Sequence, residues 1–132
     1  DFDKIRSYAE EYVERYDVMT PSIDQPVKFL SGGNIQKVIL ARELEQSPLV
    51  ILANQPTRGL DVGVIEYVHQ KLIERSTEGA AILLASEELE HLFSLTDRIA
   101  VIYQGEILGI FPTQEVSIEQ IGLLMGGLGE ET

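Results

Sequence analysis

Cysteine is absent from the 132 residues, so disulfides, thiolate metal sites and cysteine nucleophiles are all excluded, and a reducing compartment is permitted. Basic residues are scarce: 10 Lys and Arg stand against 22 Asp and Glu, a formal charge of −12. A surface with that surplus of anion repels a phosphate backbone and an anionic membrane surface, which argues against nucleic-acid binding and against a polybasic membrane module. Long apolar runs are missing too. Leu49–Ala53 and Ala80–Ala85 fall far short of the about 20 residues a membrane span needs, and Asp1-Phe2-Asp3-Lys4 does not read as a secretory signal. A soluble chain is expected. No Gly-Lys dipeptide occurs anywhere, so the phosphate-cradling loop G-x-x-x-x-G-K-[ST] is absent, and no G-x-S-x-G hydrolase motif is present.

What is present is ordinary globular material, 44% hydrophobic and 24% charged, in a length that suits one domain or a large part of one. Ile5, Tyr8, Ala9, Tyr12 and Val13 form one stripe of a helix over 3–16. Pro21 and Pro26 punctuate a polar loop over 17–28. Ser31-Gly32-Gly33 opens a second helix, with apolar Ile35, Val38, Ile39, Leu40, Ala41 and Leu44, ending before Ser47-Pro48. The runs 49–53 and 80–85 are apolar on both faces, as buried parallel strands are. Between them a helix is expected over 62–76, capped by Asp61 and followed by Gly79. A short helix over 87–95 precedes strands over 98–103 and 106–111, joined as a hairpin through Gln104-Gly105. The segment 112–125 reads as mostly helix and 126–132 as a frayed acidic tail. The order indicates an α/β domain with a largely parallel sheet, and a chain that opens on a helix reads as a fragment.

Leu30-Ser31-Gly32-Gly33-Asn34 carries the most chemical information. Glycines let a ligand approach the main chain, the first N–H groups of a helix attract anions, and Ser31 can cap the helix or donate to a phosphate oxygen. Alone, such a triplet is a weak signal, since most such triplets are turns. Its context is the apolar strand that follows, and then Asn54-Gln55-Pro56-Thr57-Arg58-Gly59-Leu60-Asp61. This pairing resembles the ATP-binding-cassette family, in which a signature loop precedes the Walker B strand, an acidic pair, Pro-Thr and a D-loop ending in Leu-Asp. Thr96-Asp97-Arg98-Ile99-Ala100-Val101 and Gln104-Gly105-Glu106-Ile107 resemble that family's closing strands. Thr57 to Gly63, with Gly33-Asn34, narrow the likeness to the second cassette of tandem importers for simple sugars and nucleosides.

The resemblance implies a partial P-loop NTPase fold. Residues 1–29 would end a helical subdomain and linker, 30–111 would hold the signature, Walker B and D-loop, and 112–132 the C-terminal helix and acidic tail. It implies ATP and Mg²⁺ in the parent protein, none held tightly by the fragment. The partners implied are a paired cassette, membrane permease subunits and, indirectly, a substrate-binding protein, with the whole peripheral on the cytoplasmic face of the membrane. In that family two cassettes pack head to tail, so Ser31, Gly32, Gly33 and Asn34 would meet ATP bound by the partner, and Asp61 would order the junction. Three positions depart from the pattern. Asn54 stands at the Walker B aspartate, Gln55 at the catalytic glutamate and Glu87 at the switch histidine. A neutral amide adds no charge for Mg²⁺, Gln is no general base, and an anion repels a γ-phosphate. This half-site is therefore expected to be hydrolytically degenerate.

Plainer readings stand beside these. Asp61 is equally a simple N-cap, Arg58 an exposed turn residue, and Lys37 and Arg42 surface ion-pair partners. Glu87, Glu88 and Glu90 read as a solvated helix face. His69 and His91, far apart in sequence, give no metal pattern. Two rival functions follow: a regulatory module with no ATP role, and an ATPase of nucleic-acid machinery, the latter opposed by the charge.

Overall fold

In the computed structural model, which describes residues 1–128, the elements follow the order α1 (Phe2–Arg15), α2 (Gly32–Leu44), β1 (Val50–Asn54), α3 (Val62–Thr77), β2 (Ala81–Ala85), α4 (Leu89–Leu95), β3 (Arg98–Tyr103), β4 (Glu106–Pro112) and α5 (Ile118–Met125). Short 3₁₀ turns occupy Val27–Phe29 and Thr113–Glu115. β1 pairs with β2 in a parallel two-stranded sheet, and β3 with β4 in a separate antiparallel one. The chain divides into two units, the first Asp1–Leu83 and the second starting at Leu84.

The first unit is built on a cluster of Tyr16, Val18, Leu40, Ala41, Leu44, Val68 and Leu72, contributed by the end of α1, the last turns of α2 and the middle of α3. Ser31 caps α2 and Asp61 caps α3, each side-chain oxygen accepting the N–H three residues on. α1 and α3 end in the same way. Asp17 and Gly79 take left-handed backbone, at φ +50° and +103°, and the next residue, Val18 or Ala80, bonds back to the carbonyl five residues earlier. Asp17 thus stands where glycine is usual, a position aspartate tolerates better than most residues.

The second unit packs Ile99 and Val101 of β3 against Ile121 of α5. The hairpin turn has two consecutive positive-φ residues, Gln104 and Gly105, as a tight turn matched to strand twist requires. α5 begins at Ile118 behind a capping box of Ser117 and Gln120, later than the helix expected from 112. β4 runs through Pro112, and a 3₁₀ turn intervenes. Nor are residues 126–128 frayed: Leu128 N–H bonds to Leu123 O, and a Cβ on Gly127 would lie 2.5 Å from the Tyr103 ring. The rest of the expected acidic tail, 129–132, lies outside the described residues.

One expectation is corrected by the strands. In β1 the residues alternate, Val50 and Leu52 being exposed at 62% and 76% while Ile51 packs on the first core. β2 repeats the pattern with Leu83 outward and Ile82 inward. The composition is that of a strand buried on both faces, but among the described residues only one face is covered.

Candidate functional site

The N-terminal turn of α2 is organised around one hydroxyl. Ser31 Oγ accepts from the Asn34 N–H at 3.3 Å and from Asn34 Nδ2 at 2.9 Å. A serine hydroxyl has two acceptor positions and one proton, so with both acceptor positions engaged the proton is directed away from the helix. Asn34 is held in turn, its Oδ1 accepting from the Met19 N–H at 2.8 Å. The first bond along the helix runs from Ile35 N–H to Ser31 O, which leaves the N–H groups of Gly32 and Gly33 with no carbonyl behind them in the helix. An exposed hydroxyl proton and two forward-pointing N–H groups make a ready binding turn for an anion.

The two glycines have different reasons to be glycine. A Cβ on Gly32 would meet nothing within 4 Å, so this residue presents bare main chain to open space. A Cβ on Gly33 would lie 2.7 Å from Val64 Cγ2, so its missing side chain admits α3. That contact brings the N-termini of α2 and α3 together. Asp61 is the cap of the second, Oδ1 accepting from Val64 N–H at 3.1 Å with its carboxylate exposed.

Between β1 and Asp61 the chain makes a turn. Asn54 ends the strand exposed, and Gln55 sits in left-handed backbone at φ +49°. Arg58 N–H bonds to Gln55 O and Leu60 N–H to Thr57 O. Thr57 is 3% exposed and anchors this turn, while Arg58 is exposed. Glu87 belongs to the second unit, exposed in the bend after β2, where Ser86 Oγ accepts from Glu88 N–H. Among the described residues, no group of three or more His, Cys, Asp or Glu side chains could hold a metal ion.

Known proteins supply a frame for this geometry. No protein-family model matches the chain. It is 50% identical over 119 residues to the guanosine import ATP-binding protein NupO of Bacillus subtilis, covering 90% of this chain and 23% of that protein. It is 45% identical over 127 residues to the nucleoside import ATP-binding protein NupA of Lactococcus lactis, covering 96% and 25%. A dimeric bacterial ABC transporter cassette superposes with a TM-score of 0.71 at 25% identity, over 86% of this chain and 49% of that one. The chain belongs to the ATP-binding-cassette family. It spans about a quarter of the length of the curated relatives it matches.

As part of a cassette, it holds Ser31, Gly32, Gly33, Asn34 and Asp61 within the first unit, on two helix N-termini joined by Gly33 and Val64. Asn54 and Gln55 follow β1 in the same unit. Val64 escapes a reading of the sequence because nothing local marks a valine as the partner of a glycine 31 positions earlier. Lys37 departs from the solvated surface pair expected of it. Its side chain is only 12% exposed, and Nζ donates to both the main-chain oxygen and Oδ2 of Asp17 at 2.8 Å, 4.9 Å from the Tyr67 ring centroid. Arg42 does pair at the surface, with Glu43. His91 approaches Glu88 at 3.1 Å, and His69 lies on α3. Burial pushes the Tyr67 hydroxyl up to about 12, with Tyr16 and Asp17 adding to the shift. Burial and a 2.9 Å hydrogen bond to Glu45 do the same for Tyr16.

Proposed function

We propose that this chain is part of the ATP-binding subunit of an importer for nucleosides or simple sugars, and that it supplies a signature loop in trans to ATP held by a partner cassette. The observation that carries the reading is the Ser31 turn: a hydroxyl with both acceptor positions engaged beside an open glycine main chain. Donors fixed before the ligand arrives stabilise charge at a γ-phosphate without reorganising, and in many enzymes such fixed donors lower the barrier more than any other device. The bound nucleotide would supply the phosphoryl group and its Mg²⁺ the counter-charge. This chain's contribution would be the Ser31 hydroxyl and the Gly32 and Gly33 N–H groups, with Asp61 ordering the junction between cassettes.

The half-site that follows β1 is read as degenerate. Asn54 brings no negative charge for Mg²⁺, Gln55 orients water without taking its proton, and Glu87 carries the wrong sign for a phosphate neighbour. The isolated chain accordingly binds MgATP weakly in this reading. In its parent it works at the cytoplasmic face of a membrane, against permease chains that receive substrate from a binding protein. No helix among the described residues is long and apolar enough to cross a membrane itself.

The deciding experiment compares Gly32→Asp with Gln55→Ala in the complete, reconstituted ATP-binding protein. Gly32→Asp places a carboxylate where the turn meets phosphate, and is expected to cost about 10²–10³-fold in turnover. Gln55→Ala is expected to change little, and Gln55→Glu to restore nothing while Asn54 and Glu87 remain. Equal damage from the first two would make this half-site catalytic. No damage from either would favour a regulatory module.

A further inference from the structure

The turn that ends α1 reaches the Ser31 hydroxyl through a continuous set of bonds. Asp17, in left-handed backbone at φ +50°, offers its main-chain oxygen and its carboxylate to Lys37 Nζ, both at 2.8 Å. Two residues on, Met19 N–H donates to Asn34 Oδ1 at 2.8 Å. Lys37 and Asn34 are one helical turn apart on α2, so they grip the segment 17–19 at two points on the same face. Asn34 Nδ2 in turn donates to Ser31 Oγ. Between the two grips lies Val18, buried at 7% exposure in the first core, which ties the segment to the packed interior.

Asn34 has only one carbonyl and one amide group to offer. One bond from each, to Met19 N–H and to Ser31 Oγ, fixes the orientation of the side chain inside the chain and ties it to the hydroxyl. We propose that Asn34 is a positioning residue: it fixes the Ser31 hydroxyl proton outward, and the α1 turn, clamped by the Asp17–Lys37 pair, holds Asn34 in place. The proposal rests on the reading of Ser31 as a donor to nucleotide in trans. It differs from that reading in where Asn34 acts. Without the Asn34 side chain, one acceptor position of Ser31 Oγ is released, the hydroxyl rotates, and its proton is aimed at the phosphate for only part of the time.

The test is a double-mutant cycle in the complete ATP-binding protein, with Gly32→Asp as control and steady-state phosphate release as readout. Asn34→Ala is expected to lower kcat about fivefold to tenfold, the scale of one lost oriented hydrogen bond. In a Ser31→Ala background the same change should cost less than about twofold, since the group it acts on is gone. Asp17→Gly is the second variant, and it is expected to fold because glycine takes φ +50° freely. It removes the carboxylate arm of the clamp and leaves the Asp17 main-chain oxygen to hold Lys37, and should lower kcat about twofold to threefold, again only while Ser31 is present. Should Asn34→Ala fail to fold, the Asp17→Gly cycle decides alone. Losses that add independently of Ser31, or wild-type kcat in the variants that fold, overturn the positioning role when Gly32→Asp is inactive. A fully active Gly32→Asp overturns the trans reading, and the proposal with it.

Discussion

Gly32 and Gly33 are adjacent, share a helix turn and are chemically identical, yet the structure requires opposite responses to the same methyl group. At Gly33 the added Cβ would stand 2.7 Å from Val64 Cγ2, about 1 Å inside the separation at which two carbons attract. Val64 cannot swing aside cheaply, because a β-branched residue in a helix has one strongly preferred rotamer. Relief must therefore come from moving α2 and α3 apart, at a cost of about 1–3 kcal/mol typical of overpacking. At Gly32 the Cβ meets nothing within 4 Å, and the alanine restricts the unfolded chain. There the same change is expected to be neutral or stabilising by up to about 1 kcal/mol. Urea unfolding of the chain and its variants measures the difference through the midpoint at constant slope. Gly33→Ala combined with Val64→Ala should lose less than the sum of the two single changes, because the second removes the methyl that the first strikes. Equal midpoints for Gly32→Ala and Gly33→Ala, or strict additivity with Val64→Ala, would refute the assignment of Gly33 to helix packing.

Two further outcomes are expected. Burial raises the Glu45 carboxyl, but hydrogen bonds from Arg15 and Tyr16, with the charge of Arg15 and Arg75, outweigh it and hold the group below its ordinary value of 4.5. A depressed folded value means that Glu45 stabilises the chain above pH 4.5 and loses that contribution as pH falls through the lowered value. Glu45→Gln should therefore flatten the acid limb of the stability–pH curve, and an unchanged limb in thermal melts would contradict this. Leu49, Val50, Leu52 and Leu83 are 81%, 62%, 76% and 67% exposed, and the last three lie on the outward face of the β1–β2 pair. The purified chain should self-associate through this apolar face, and Leu52→Lys should weaken the association; a clean monomer at high concentration by analytical ultracentrifugation would count against it.

What can be read from the sequence is whatever a few neighbouring residues decide. Asp61 before an apolar period and Gly79 after it bound α3, because capping and left-handed termination are local requirements. Gln104-Gly105 marks the hairpin for the same reason. Ser31 as cap of α2 is equally local. Sequence reading fails where a distant residue decides. The burial of Lys37 depends on Asp17 and Tyr67, and the reason for Gly33 depends on Val64; neither pairing leaves a mark in its own stretch of chain. The strand runs 49–53 and 80–85 report an apolar composition, but the pleat covers only alternate residues unless a second layer is present. The Ser31 turn itself combines both kinds of information. Its glycines and cap are legible, whereas the Met19–Asn34–Ser31 bonds that aim the hydroxyl exist only once α1 and α2 have packed around Tyr16, Val18 and Leu40. A loop copied without that packing would keep the motif and lose the aim of its donor.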